Sequence, residues 1–224
     1  MLGSVRRFAL AAVGGDRPGI VAAIARVLLE QQLNIEDSQM AILRGRFCVL
    51  LILAGADDVA ELPLRSELER VGAELSLDAV VLTALSEERA RRGAAAAGAD
   101  ARGPQRRGEP LLDSLPDPSP SCIITVYGAD HPGIVHAVAA KLASAGVNIT
   151  DLQTQLAPGE EEAAEGSGGA EPLERTPQSA LYAMVIECEL PTGMGVEGVE
   201  ALLGEVRSEQ SVDISVRELE RDVL

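Results

Sequence analysis

Tryptophan is absent from this 224-residue chain, and phenylalanine and tyrosine occur only twice each. So few rings leave little to stack on unpaired bases, which argues against single-stranded nucleic acid as a ligand. Cysteine is scarce too: Cys48, Cys122 and Cys188 form no Cys-x-x-Cys pair and lie singly in apolar runs. An odd, scattered set reads as small buried free thiols in a reducing compartment. The two histidines, His131 and His136, have no cysteine or carboxylate set spaced around them. No metal site is expected from them, and His136 is expected on a helix surface. Long apolar runs are missing as well. No stretch approaches ~20 uninterrupted apolar residues, so no membrane-spanning helix is expected. The opening "MLGSVRRFALAAVGGD" has a short apolar run behind two arginines, loosely like an export signal. That run is also the first strand of a repeated unit, so the expected location is the cytoplasm.

Positive charge is in deficit, with 19 Lys and Arg against 35 Asp and Glu and a formal net charge of −16. The imbalance is concentrated in residues 121–224, which carry 5 basic and 18 acidic side chains, six of the glutamates lying between Glu160 and Glu174. Such a surface repels phosphate backbones, so direct nucleic-acid binding is not expected. Catalytic signatures are equally thin. No Ser/His/Asp or Cys/His grouping and no phosphate loop is present, so neither an enzyme nor a cofactor is expected. "GMGVEG" (193–198) matches Gly-x-Gly-x-x-Gly and is followed by Asp213 twenty positions after Gly193. Too little chain follows it for the second half of a dinucleotide-binding sheet, and the other copy of the unit lacks the glycines.

What the chain does have is a duplication. "GGDRPGIV" (14–21) returns as "GADHPGIV" (128–135), an offset of 114. The same shift carries Ala23 to Ala137, Leu28 to Leu142, Asn34 to Asn148, Ile35 to Ile149, Asp37 to Asp151 and Gln39 to Gln153. A match running through glycines, polar residues and helix positions marks two copies of one module. In the first copy the pattern predicts strand 5–13, helix 20–32, two strands flanking Arg44-Gly45-Arg46, helix 59–72 and strand 74–82. In the second it predicts 121–127, 134–145, 149–156, 179–190, 196–208 and 211–219. Strand-helix-strand-strand-helix-strand is the ferredoxin-like βαββαβ plan, an α+β fold with a four-stranded antiparallel sheet and two helices on one face. The expected domains are 1–85 and 121–224. The Ala-, Gly-, Arg- and Pro-rich stretch 86–120 reads as a flexible linker, and 157–178 as a disordered acidic hairpin insertion in the second domain.

In both copies Asp-x-Pro-Gly lies between the first strand and the first helix. Asp16 and Asp130 are expected as helix N-caps, with Pro18 and Pro132 at the helix start. Gly19 and Gly133 permit close approach to backbone N–H groups, which with the helix dipole receive a carboxylate. An aspartate alongside answers an ammonium group, and Asn34 and Asn148 can both donate and accept. Together these groups suit a zwitterionic amino acid. The competing reading is a helix start and a turn asparagine with no ligand.

The plan, with "DRPGIV…LNIED" and "DHPGIV…VNITD", resembles the ACT domain, a small-molecule sensing module best known for binding amino acids. Two copies without an attached enzyme, the second interrupted after "LQTQLAPGEEE", resemble the glycine cleavage system transcriptional repressor family. The resemblance covers roughly 5–83 and 121–219. It implies a ligand loop at Asp16, Arg17, Pro18, Gly19 and Ile20 with Asn34 and Ile35, and in copy two at Asp130, His131, Pro132, Gly133 and Ile134 with Asn148 and Ile149. It further implies ligand held where two modules meet, a protein partner such as a transcriptional regulator, and association into a homodimer or larger assembly. The alternative is a protein–protein adaptor with no small-molecule ligand.

Overall fold

The computed structural model describes residues 5–85, 120–157 and 181–219. In the first copy β1 (Val5–Gly15), α1 (Ile20–Glu30), β2 (Asn34–Leu43), β3 (Arg46–Ala56), α2 (Glu61–Glu74) and β4 (Leu77–Leu85) follow one another. The second copy repeats the series as β5 (Ser121–Ala129), α3 (Ile134–Ser144), β6 (Asn148–Ala157), β7 (Leu181–Glu189), α4 (Val196–Glu209) and β8 (Asp213–Glu218). The expected α+β plan is present twice. The linker read over 86–120 and the acidic insertion read over 157–178 fall outside the described residues, apart from Pro120 and Ala157 at their ends.

Alternation drives the strands to one face. In β1, Phe8, Leu10 and Ala12 are buried while Arg7, Ala9, Ala11 and Val13 turn the other way. Helix α1 buries Ile20, Ile24, Ala25, Val27 and Leu28, one stripe at helical spacing. Each such Leu or Ile contributes about 1.5–3 kcal/mol when fully buried. All of them join one apolar cluster spanning both copies.

That continuity comes from the sheet. The order β4-β1-β3-β2-β6-β7-β5-β8 makes one eight-stranded sheet, because β2 pairs antiparallel with β6. The register there sets Gln39 opposite Gln153, residues equivalent by the repeat offset, so a pseudo-dyad runs through the seam. Both β2 and β6 slip register at the same place, between Ile35 and Asp37 and between Ile149 and Asp151. On the helical face α1 lies against α3 across the same dyad.

Two sequence expectations need correction. Asp16 and Asp130 do not cap helices: Gly19 and Gly133 occupy the cap positions, left-handed at φ 93° and 108°, with no side-chain cap. Pro18 and Pro132 accordingly stand ahead of the helices, exposed in the turn. The expected strand at 74–82 begins instead at Leu77, because the chain first turns through Ser76 at φ 54°.

Candidate functional site

Each loop between the first strand and first helix is set by close backbone contacts. A Cβ at Gly14 would fall 2.6 Å from Leu77 Cδ2 and 3.0 Å from Leu77 Cα, and at Gly128 2.7 Å from Val212 Cγ1. Only glycine lets β1 and β5 end so near the last turn of the module. The loop is then clasped from outside. Arg17 donates to the Glu74 carbonyl at 3.3 Å, and His131 Nε2 to the Gln210 carbonyl at 3.0 Å. Arg17 and His131, a departure between the copied motifs, therefore do the same work: each ties its loop to the C-terminal end of its module's second helix. The Asp16 N–H donates to Gly45 O at 3.0 Å, which adds the β2–β3 hairpin tip to this support.

The asparagines are placed by helix ends. Leu33 N–H reaches back to Leu28 O and Val147 N–H to Leu142 O, closing α1 and α3 and delivering Asn34 and Asn148 to the first position of β2 and β6. From there each crosses the seam. Asn34 Nδ2 donates to Asp130 Oδ2 at 2.6 Å, and Asn148 Nδ2 donates to Asp16 Oδ2 at 2.8 Å. Every loop aspartate is thus held by the asparagine of the other copy.

Two narrow clefts result. One brings Asn34 and Ile35 together with His131, Gly133 and Ile134. The other brings Asp16, Arg17, Gly19 and Ile20 together with Asn148 and Ile149. Each therefore unites the loop of one copy with the second strand of the other. The helix starts facing them carry no acidic residue in the first turn, so their N–H groups and dipoles are open to an anion.

Some lining residues escaped sequence reasoning. His136 is not on a free helix surface; its Nδ1 lies 3.2 Å from the carbonyl of Ala22, its own repeat equivalent, at the α1–α3 contact. Tyr182 lines the first cleft, and its counterpart Phe47 the second. Burial, then the charge of Asp130, hold the Tyr182 hydroxyl well above the usual tyrosine range, so it stays protonated. The aligned pairs Ala22/His136 and Met40/Thr154 were visible in the constant offset. Phe47 and Tyr182 were not, because the copy-two insertion breaks that offset between them. Among the described residues, no group of three His, Cys, Asp or Glu side chains could hold a metal ion, and no helix is long and apolar enough to cross a membrane.

Comparison with known proteins agrees with the repeat. The family model for the ACT domain matches residues 7–82 and 121–158, about half of the chain. The UPF0237 protein MK1213 of Methanopyrus kandleri is 43% identical over 76 residues, 34% of this chain and 84% of that protein. The glycine cleavage system transcriptional repressor of Escherichia coli is 40% identical over 76 residues, again 34% of this chain but only 40% of the repressor. The match thus spans two fifths of the length of that repressor. Among solved structures, an unknown protein from Galdieria sulphuraria is 22% identical, covering 97% of this chain and 100% of that one at a TM-score of 0.38.

Proposed function

This chain belongs to the ACT domain family, and from that premise we propose that it is a non-catalytic regulator that binds a small amino acid in the clefts between its two modules. The observation that carries the reading is the reciprocal pair of bonds, Asn34 to Asp130 and Asn148 to Asp16, each beside an open helix N-terminus. A zwitterion fits this arrangement chemically. Its carboxylate meets backbone N–H groups and the positive end of the helix dipole. Its ammonium meets the aspartate, whose charge is already oriented by the asparagine. Because each cleft is built from both copies, a bound ligand ties the modules together and favours arrangements in which they are docked.

The output of such a switch is a protein partner. The similarity to a transcriptional repressor points to a regulator of transcription, and the acidic balance of the chain disfavours its acting on DNA directly. We further propose self-association through the open face of the sheet, a surface taken up below.

Titration calorimetry against the twenty amino acids tests the ligand. Binding is expected in wild type, and Asn34→Ala or Asn148→Ala should each cost about 1–3 kcal/mol at its own cleft, roughly 5- to 150-fold in affinity. If no amino acid binds wild type while a transcriptional partner is still captured unchanged by both variants, the adaptor reading replaces the sensor.

A further inference from the structure

The two clefts descend from one motif but do not have the same floor. Beneath the Asp16–Asn148 pair lie Met40 and Phe47, both apolar. At the matching places beneath the Asp130–Asn34 pair stand Thr154 and Tyr182, buried to 3% and 1% exposure. The Tyr182 hydroxyl donates to the Met184 sulfur, a weak acceptor 3.9 Å away. Thr154 lies beside that hydroxyl and draws its pKa down against the opposing effect of burial. Yet Thr154 Oγ1 has no hydrogen-bond partner in the structure, and neither has Asp130 Oδ1. Ser38, paired with Thr154 across the β2–β6 seam and 5% exposed, also has an unpartnered Oγ; its own repeat equivalent is Leu152.

Buried polar atoms are nearly always paired, and Tyr182, which lines the cleft, has unpaired ones for neighbours, an arrangement that asks for a polar guest. The guest's chemistry can be narrowed. Tyr182 is protonated and donates, while threonine and serine hydroxyls donate or accept. A side-chain carboxylate would meet the charge of Asp130, so a neutral side chain is favoured. We propose that the Asn34–Asp130 cleft takes a small α-amino acid whose neutral side chain carries a hydrogen-bonding oxygen, a hydroxyl or carboxamide, seated against Tyr182 and Thr154. The Asp16–Asn148 cleft, floored by Met40 and Phe47, gains nothing from that oxygen. Tyr182 and Thr154 are therefore specificity residues of one cleft only, a refinement that rests on the amino-acid reading above.

The test uses the full chain and two matched probe pairs, L-serine against L-alanine and L-threonine against L-2-aminobutyrate. Calorimetry on wild type is expected to show at least about tenfold tighter binding of the hydroxyl member of each pair. Tyr182→Phe should erase that preference while leaving melting temperature nearly unchanged, because the hydroxyl's bond to the Met184 sulfur is weak. Asn34→Ala should remove the selective binding event, and Asn148→Ala should leave it. If alanine and serine bind wild type equally, or Tyr182→Phe retains the preference, the polar floor holds only water and the inference falls while amino-acid binding stands. If no amino acid binds wild type at all, both fall together.

Discussion

Gln32 and Gly146 occupy the same place in the two copies, just past the end of α1 and of α3, and both are left-handed, at φ 55° and 72°. Copy two supplies the residue that adopts this conformation without Cβ crowding; copy one does not. Gln32→Gly is therefore expected to stabilise the protein, by about 1 kcal/mol or somewhat less after glycine's entropy is counted. Chemical denaturation would read this as a rise in midpoint at constant slope. Gly133→Ala should do the reverse, losing about 1–2 kcal/mol to its positive φ, with its new Cβ also 3.3 Å from Leu29 Cδ1. Sequence reasoning read Gly19 and Gly133 as room for a ligand; the structure shows that backbone conformation alone requires them. It grouped each aspartate with the asparagine of its own motif, and held the ligand where two modules meet. Asp16 and Asn34 share a motif, yet each bonds to the other copy. Spacing along one chain segment carries no signal for a contact made across a dyad.

At the level of elements, every described helix and strand was legible from its apolar period, and the errors lie at turns. The start of β4 was misplaced because Leu75 and Ser76 look strand-like while forming the turn that ends α2. More was hidden in how elements meet. The closeness of α1 and α3 depends on small residues facing the seam, among them Ala25 and its equivalent Ala139, 4% and 2% exposed. Ala25→Leu should overpack that seam and cost about 1–3 kcal/mol, with the ligand cleft it lines narrowed at the same time. Paired melting and calorimetric curves would check both effects. An equal change at an exposed helix position such as Ala201 should be nearly silent.

Among the described residues, the sheet has one face covered by helices and one bare. A row of side chains crosses the bare face in continuous register: Val81, Ala11, Leu50, Gln39, Gln153, Val185, Thr125 and Ser215. Val81, Leu50 and Val185 in it are 54%, 49% and 38% exposed. The resemblance implied association, and unpaired edges are one reason a sheet associates, but β2 and β6 satisfy one another within the chain and leave β4 and β8 outermost. The face is the better reason. Eight strands about 4.8 Å apart and about 20 Å long present roughly 750 Å², and two such faces stacked bury about 1,500 Å², the size of a stable interface. Sedimentation should show a dimer, and Leu50→Glu should shift it to monomer while amino-acid affinity survives.

The dyad through Gln39 and Gln153 has one more consequence. A single module paired with its own duplicate would rebuild both clefts, each Asn34 reaching the other copy's Asp16, and the Methanopyrus kandleri relative is hardly longer than one module. In such a pair every mutation appears at both sites at once. Joining the modules in one chain uncouples them. Threonine and tyrosine can then stand on one side with methionine and phenylalanine on the other, so that the floor of one cleft differs without any change in the other.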